Sequence, residues 1–149
     1  MQFVSDNFIP YHAHIKQQSE AFDRFGAKWT TTQIVLDPDG VERHRIEGFL
    51  PVDDFLAQLQ MGVSQVAFAR NRFDEAERLF RDAWSSHPKS FVAPEARYWE
   101  GVSAYKHGGD PQKLADTGTD LKKMYPKSEW ARKASVWLPQ KAAKEKQVQ

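Results

Sequence analysis

Apolar residues in the first third of the chain follow patterns typical of β-strands. Phe8 to Ile15 is apolar and β-prone around a proline, which predicts a strand near a sheet edge or one that begins at the proline. Thr31 to Leu36 predicts a second strand, because Thr, Ile and Val cluster there. Val41 to Gly48 predicts a third, and Asp37 to Gly40 supplies turn chemistry between these two. The last two strands are therefore expected to form a hairpin.

Apolar residues at helical spacing lie on either side of the hairpin. Residues 19–25 place Phe22 and Phe25 on one face, and Gly26 is a natural stop. A longer helix is expected after Pro51, where an acidic pair favours the start of a helix and apolar residues recur every three or four positions. The first half therefore alternates strand and helix.

The second half of the chain contains an internal repeat. His87–Ser90 recurs as Tyr125–Ser128 at an offset of 38 residues, and the match continues from Ala93, Ala96 and Trp99 of the first copy. Stripes of apolar residues at helical spacing surround both copies, so each unit is expected to fold as helix, turn, helix. A period of about 30 to 40 residues built from helix pairs is typical of an α-solenoid.

Composition and charge exclude several classes of protein. The chain contains no cysteine, which excludes disulfides, zinc–thiolate sites, iron–sulfur clusters and thiol redox chemistry within it. Its formal net charge is +1 and its isoelectric point about 8.0, too balanced for a dedicated nucleic-acid binder. The first residues lack the pattern of a signal peptide, and no apolar run could span a bilayer. We therefore expect a soluble, cytoplasmic protein without nucleic-acid or membrane partners.

The second half resembles tetratricopeptide (TPR) repeats. Residues Asp74–Phe80, with Ala83 and Pro88, match the second helix and terminal proline of that motif. The next unit departs from the usual alanine and aromatic pattern in its second helix, and Ser128–Leu138 stands as a lone last helix. The resemblance implies a helical scaffold whose inner groove holds a peptide or a partner protein.

Six residues are expected to face that groove by their positions in the motif. They are Met61, Gln65 and Phe68 in one unit and Tyr98, Val102 and Tyr105 in the next. An aromatic-bearing surface of this kind suits the burial of a peptide. The alternative is that two units are too few to form a groove, and that these side chains pack on the first half of the chain.

The first half is similar to the C-terminal part of a thioredoxin-like domain. The runs Asn7–Pro10, Phe25–Thr32, Leu36–Gly40 and Gly48–Pro51, with a closing helix, follow the order of that family. In active members a Cys-x-x-Cys motif precedes this region, and it is absent from this sequence, so thiol–disulfide exchange cannot be carried over. The family's cis-proline falls at Thr31, where we expect an ordinary trans bond because a non-proline cis bond costs about 2.5–4 kcal/mol.

The absent segment also affects the sheet. In the family, a strand from that segment lies between the strands that match Phe8 to Ile15 and Thr31 to Leu36. Without it, two inner edges carry unpaired backbone groups, which is costly and promotes association. We expect the sheet to close by direct pairing of these two strands, or by a strand from a second copy of the chain.

Candidate catalytic and metal-binding residues are sparse. His12 and His14 share a strand face and, with His44, come nearest to a metal site, but ordinary histidines are favoured. Asp37 and Asp39 favour a turn over a calcium loop, because further oxygen ligands are missing. The serines considered as nucleophiles, none of which lies in a recognisable motif, are Ser19, Ser64 and Ser90. The basic residues expected on a solvated helix face or tail, with phosphate binding as the alternative, are Lys133, Lys141, Lys144 and Lys146.

These patterns predict an α+β fold with three parts. A partial thioredoxin-like region is expected over residues 1–60, TPR-like helical repeats over 61–138 and a polar tail over 139–149. The leading function is a non-catalytic, redox-inactive scaffold that binds a protein or peptide partner without a cofactor or metal, or that forms homo-oligomers through open strand edges. The alternative is a cysteine-less remnant or partial chain of a thiol–disulfide oxidoreductase whose redox motif lies elsewhere.

Overall fold

The structure, a computed structural model, describes residues 2–139. Within that range it is mostly helical with a two-stranded antiparallel sheet, so the predicted α+β class is confirmed. In chain order the elements are α1 (Gln2–Asn7), α2 (Ser19–Phe25), β1 (Thr32–Leu36), β2 (Glu42–Glu47), α3 (Val52–Ala69), α4 (Phe73–Ser86), α5 (Ala93–Gly108), α6 (Gln112–Met124), α7 (Glu129–Ala134) and a 3-10 turn (Ser135–Trp137).

The predicted hairpin forms from β1 and β2. The two strands pair antiparallel, with Thr32 opposite Glu47 at one end and a register shift beside the turn at the other. Val35 and Ile46 point to the same side and are buried against Leu59 of α3. Since side chains alternate between the two faces of a strand, this placement gives the sheet one face covered by α3.

The hairpin turn is closed by the buried carboxylate of Asp37. One oxygen, Oδ1, accepts the backbone N–H groups of Asp39 (2.9 Å) and Val41 (3.0 Å). The other, Oδ2, accepts from Arg43 Nε (2.8 Å), and Gly40 takes a φ of 77°. Backbone donors and the guanidinium hold the pKa of Asp37 below its usual value despite partial desolvation. The prediction that this aspartate serves turn chemistry is therefore confirmed.

The strand predicted over Phe8 to Ile15 is wrong, and direct pairing of that segment with β1 does not form. The segment follows α1 without regular structure and ends in a turn. Phe8 packs on the apolar cluster beneath the hairpin, whereas Ile9 is 99% exposed. A proline at position 10 cannot donate to a ladder, and β-prone residues alone cannot form a strand without a partner for the backbone. Closure by a second copy stays a prediction.

The peptide bond between Thr30 and Thr31 is cis, so the expected trans bond is wrong. The expectation used only the average preference of non-proline bonds. Hydrogen bonds that the sequence does not reveal hold both flanks of this bond. Thr32 Oγ1 donates to the Trp29 carbonyl (2.6 Å), and the Gly48 N–H donates to the Thr31 carbonyl (2.7 Å). The start of β1 is thereby tied to the residue after β2.

Helices α3 to α7 form the larger part of the fold, and each packs against the next along the chain. Phe80 is fully buried among alanines of α3, α4 and α5, which let the helix axes approach closely. Glycines fit two joints that a side chain would block. A Cβ at Gly62 would come within 2.7 Å of Val35 Cγ2, and one at Gly101 would overlap the side chain of Thr117. The first glycine joins the sheet to α3, and the second joins α5 to α6.

Local signals set the helix ends in the second half. Gly109 ends α5 with a φ of 70°, and Asp110 Oδ1 then accepts the N–H of Gln112 (2.9 Å) at the start of α6. Ser128 Oγ accepts the N–H of Ala131 (3.0 Å) and caps α7. The last predicted helix is therefore present as α7 followed by the 3-10 turn.

The predicted division at residue 60 falls inside α3, which contacts both the hairpin and α4. Within residues 2–139, no helix is long and apolar enough to cross a membrane. Apart from Pro139, the predicted tail lies outside the described residues, as do the basic residues Lys141, Lys144 and Lys146.

Candidate binding site

The residues predicted on α3 to face a groove lie mainly in the helical core. Met61 is fully buried, and Gln65 is half-buried. Phe68 makes edge-to-face contacts with Phe73, with a centroid distance of 5.3 Å, and with Trp99 at 5.1 Å. Such contacts add to the energy of burial. This part of α3 therefore joins α4 and α5.

The residues predicted on α5 are less deeply buried. Tyr98 stacks on Trp137 of the 3-10 turn (4.6 Å, 26° between planes) and contacts Trp130 of α7 (5.0 Å). Val102 is half-buried, and Tyr105 is 38% exposed. The structure thus brings Phe68 and Tyr98, but not Tyr105, into one aromatic cluster that ties α7 to α5 and α3. Contact of these residues with a partner stays a prediction.

A buried charged cluster joins α4, α5 and α6. Glu100 is only 6% exposed, and its carboxylate receives Arg81 Nε (2.8 Å), Trp84 Nε1 (2.6 Å) and Arg97 Nη1 (3.2 Å). Arg97 also donates to Asp120 Oδ2 (2.7 Å). Every charge in this cluster has a partner, so the cluster packs the helices together and offers no free group to a ligand.

A concave surface lies between β2, α3, α5 and α7, and we name it the β2–α5–α7 groove. It has a volume of about 460 Å³. Its lining residues, which come from both halves of the chain, are His44, Arg45, Gln58, Phe91, Val92, Pro94, Glu95, Ser128, Glu129 and Trp130. None of the six residues predicted to face a groove lines it. Nothing in the sequence pattern indicated that β2, α5 and α7 would line one groove.

The wall of the groove formed by β2 presents no uncompensated charge. The His44 ring is hydrogen bonded through Nε2 to Oε1 of Gln58, and burial lowers the pKa of His44, an effect that this bond only partly opposes. The imidazole is therefore neutral at pH 7. Arg45 Nη2 donates to Glu42 Oε2 (2.6 Å) and to the Phe25 carbonyl (2.5 Å), so its charge is already compensated.

The opposite wall carries the carboxylates of Glu95 and Glu129. Glu129 forms an ion pair with Lys133 Nζ (3.4 Å). Glu95 forms no ion pair within residues 2–139, and burial raises its pKa. The indole N–H of Trp99, on the next turn of α5, is a nearby donor that lowers the pKa of Glu95. Its geometry falls short of a complete hydrogen bond. Lys133 has a smaller effect in the same direction, and Glu129 raises the pKa. Glu95 is thus a partly buried carboxylate without a cation in contact.

A second open feature is the outer edge of β1. The bond from Gly48 N–H to the Thr31 carbonyl makes these residues a hydrogen-bonded pair. Because such pairs alternate along an antiparallel ladder, the backbone groups of Thr32 and Ile34 point away from β2. In the part of the chain that the structure describes, no hydrogen bond reaches those outward backbone groups. At the same end of the hairpin, Trp29 and Phe49 are 68% and 86% exposed.

The residues considered for catalysis or metal binding are not brought together. His12 and His14 are exposed in the segment before α2, away from the hydrogen-bonded His44. Ser64 is buried in α3 and donates to the Gln60 carbonyl (2.8 Å). Among residues 2–139, no three His, Asp or Glu side chains are grouped so that they could hold a metal ion.

Comparison with known proteins gave no relative. No protein-family model matches the chain, and no curated protein or solved structure is significantly similar to it.

Proposed function

We propose that this chain is a non-catalytic protein-interaction module that pairs an extended segment of a partner with the open edge of β1. The observation that carries the proposal is the row of unpaired backbone groups at Thr32 and Ile34. An exposed strand edge is a template for a further strand, and natural proteins often bind peptides in this way.

The two strands of the hairpin differ in a way that favours β1 as the binding edge. β2 reads Glu42–Glu47 and is rich in charge, which discourages pairing with another strand. β1 reads Thr32–Leu36 and has no charged residue. An incoming strand would therefore meet an uncharged ladder on one side of the hairpin and a charged one on the other.

The exposed aromatic side chains at the start of β1 supply the second part of the interaction. Each backbone hydrogen bond contributes only about 0.5–1.5 kcal/mol net, so a strand needs side-chain contacts as well. Trp29 and Phe49 lie beside the first paired residues and are largely exposed. Large aromatic residues of this kind dominate the energy of many protein interfaces.

The proposal extends to the ancestry of the two halves. We infer a partial thioredoxin-like region followed by TPR-like helices. The order hairpin, α3 and successive packed helices supports this combination. In that arrangement the helices hold the hairpin in place and leave the edge of β1 open, where the thioredoxin-like family has a further strand.

Affinity purification from native cells with three baits tests the proposed function. Ile34→Pro removes an outward N–H that β2 does not use, so the hairpin is expected to survive while strand addition is lost. Glu47→Pro is the matched control on the edge of β2. We expect partners of the wild type to be retained by Glu47→Pro and lost with Ile34→Pro, with thermal unfolding confirming that both variants fold.

Self-association is measured on the purified protein by sedimentation velocity. A dimer that Ile34→Pro abolishes would identify a second copy as the strand donor. Partners that bind all three baits equally well, together with a wild type that stays monomeric, would overturn the proposal.

A further inference from the structure

The β2–α5–α7 groove has the size of a ligand site and a charge that the protein leaves uncompensated. Its volume of about 460 Å³ lies within the range of about 300–1,000 Å³ that is usual for small-ligand pockets. His44 on its wall is neutral, and Arg45 and Glu129 are each paired within the chain. Only Glu95 lines the groove as a carboxylate without an ion pair among residues 2–139. The groove therefore carries one unpaired negative charge, which favours a cationic ligand.

The aromatic walls of the groove suit the same kind of ligand. Phe91, in the connection between α4 and α5, is 60% exposed, and Trp130 faces the groove from α7. Lys133 Nζ lies 3.8 Å from the centre of the Trp130 ring and already occupies one face of that ring. The exposed ring of Phe91 is therefore the aromatic surface that is free for a ligand. An alkyl stem could then pack along the exposed ring of Phe91.

We propose that the β2–α5–α7 groove binds a lysine or arginine side chain of a partner polypeptide, with the cationic head at the Glu95 carboxylate. The alkyl part of that side chain packs against the exposed ring of Phe91. Because the carboxylate is already partly removed from water and held on a helix, pairing it gains attraction without the full desolvation that two solvated ions would lose. The site is separate from the edge of β1, which does not line the groove.

The charges facing Glu95 disfavour an anionic ligand. Arg45 comes from β2, but Glu42 and the Phe25 carbonyl occupy its guanidinium. Lys133 comes from α7, but it is paired with Glu129. A phosphate or carboxylate would therefore meet Glu95 before it met a free cation, and an uncharged ligand would leave Glu95 uncompensated.

Selection of binders from a random peptide library tests this proposal on the full chain. Peptides selected on the wild type are counter-selected on Glu95→Gln, which keeps the shape of the side chain and removes the charge. The matched control is Glu20→Gln, because Glu20 is an exposed carboxylate on α2 that does not line the groove. Because the counter-selection itself removes peptides that bind Glu95→Gln, the tested result is the sequence of the peptides that remain. We expect them to share a lysine or arginine whose replacement weakens binding about tenfold or more, and we expect Glu20→Gln to leave their binding unchanged.

A double-mutant cycle then identifies the contact. Replacement of the shared lysine by norleucine, which keeps the alkyl stem, should weaken binding to the wild type about as much as Glu95→Gln does. The same replacement should have little further effect on Glu95→Gln. Additive losses, selected peptides without a shared cation, or the absence of any selected peptide would overturn the proposal. Binding to Ile34→Pro should equal binding to the wild type, so failure at the edge of β1 and failure in the groove are told apart.

Discussion

Two glutamates on α5 show that burial of a charge has different meanings in different surroundings. Glu100 lies deep between α4, α5 and α6, where it receives three donors. Glu95 lies on the opposite side of the same helix, is less deeply buried and forms no ion pair among the described residues. Glu100 lies five positions after Glu95 in the sequence, and the residues between them do not indicate the contrast.

Whether a charge has partners therefore distinguishes the two sides of α5 better than how deeply it is buried. A buried charge with a full set of partners holds neighbouring elements in one arrangement, and losing one partner leaves the others uncompensated. A partly buried charge without a cation lowers the stability of the free protein and raises its affinity for a cation. The packed side of α5 thus stabilises the fold, whereas the side toward the groove leaves interaction energy for a partner.

Among the charged residues of α5, the largest effect on the free energy of unfolding is expected on the packed side. Glu100→Gln should lower the free energy of unfolding by about 3 kcal/mol, because Arg97 stays buried while losing an anionic partner. Glu75 is the matched control, since it pairs with Arg72 (2.8 Å) outside the buried charged cluster and nearer the surface. Glu75→Gln should cost less than about 1 kcal/mol. Urea unfolding of the three proteins measures both values, and equal losses would show that burial of the ion pair does not matter here.

Glutamate to glutamine on the side of α5 toward the groove, at Glu95, should raise the free energy of unfolding instead of lowering it. Because burial raises the pKa of Glu95, the folded chain holds the proton more tightly than the unfolded chain. Stability from this group is therefore full below the unfolded pKa, for which the model value is 4.5, and is lost as the pH rises through the raised pKa. Glu95→Gln does not ionise, so the variant does not lose this stability as the pH rises.

Glu95→Gln should thus unfold at a higher temperature than the wild type at neutral pH, and the difference should shrink to nothing in acid. Thermal unfolding of both proteins on the two sides of the raised pKa measures this difference. A difference that stays constant with pH would show that Glu95 does not titrate in the way burial implies. His44, Arg45, Glu129 and Lys133 face the same region and are left unchanged in both proteins.

The sequence predicted those parts of the fold whose determinants are local. The hairpin follows from the turn carboxylate of Asp37, the end of α2 from Gly26 and the start of α7 from Ser128, each acting within a few residues of itself. The strand expected over Phe8 to Ile15 failed because a strand depends on a partner that its own residues do not specify.

The groove could not be predicted because its walls come from residues 44 to 130 and depend on how α7 packs back on α5. Its central residue was also hidden. Glu95 follows a proline in the first turn of α5, where an acidic residue is expected simply from the helix dipole. A binding residue that also fits the ordinary start of a helix cannot be recognised from the sequence alone.

The smallest effect on stability is expected from Phe91→Ala. This variant should also separate peptide binding in the groove from the stability of the packed core most clearly. Its ring is mostly exposed in the connection before α5, so the free energy of unfolding should change by less than about 0.5 kcal/mol. Binding of a lysine peptide should nevertheless weaken several-fold, because the alkyl stem loses one wall of the groove. Phe80→Ala is the contrasting core variant and should lose about 3–5 kcal/mol of stability. Unfolding and peptide titration on the same samples measure both quantities. A Phe91→Ala protein that binds as tightly as the wild type would show that the aromatic wall is not part of the site and would leave Glu95 to act alone.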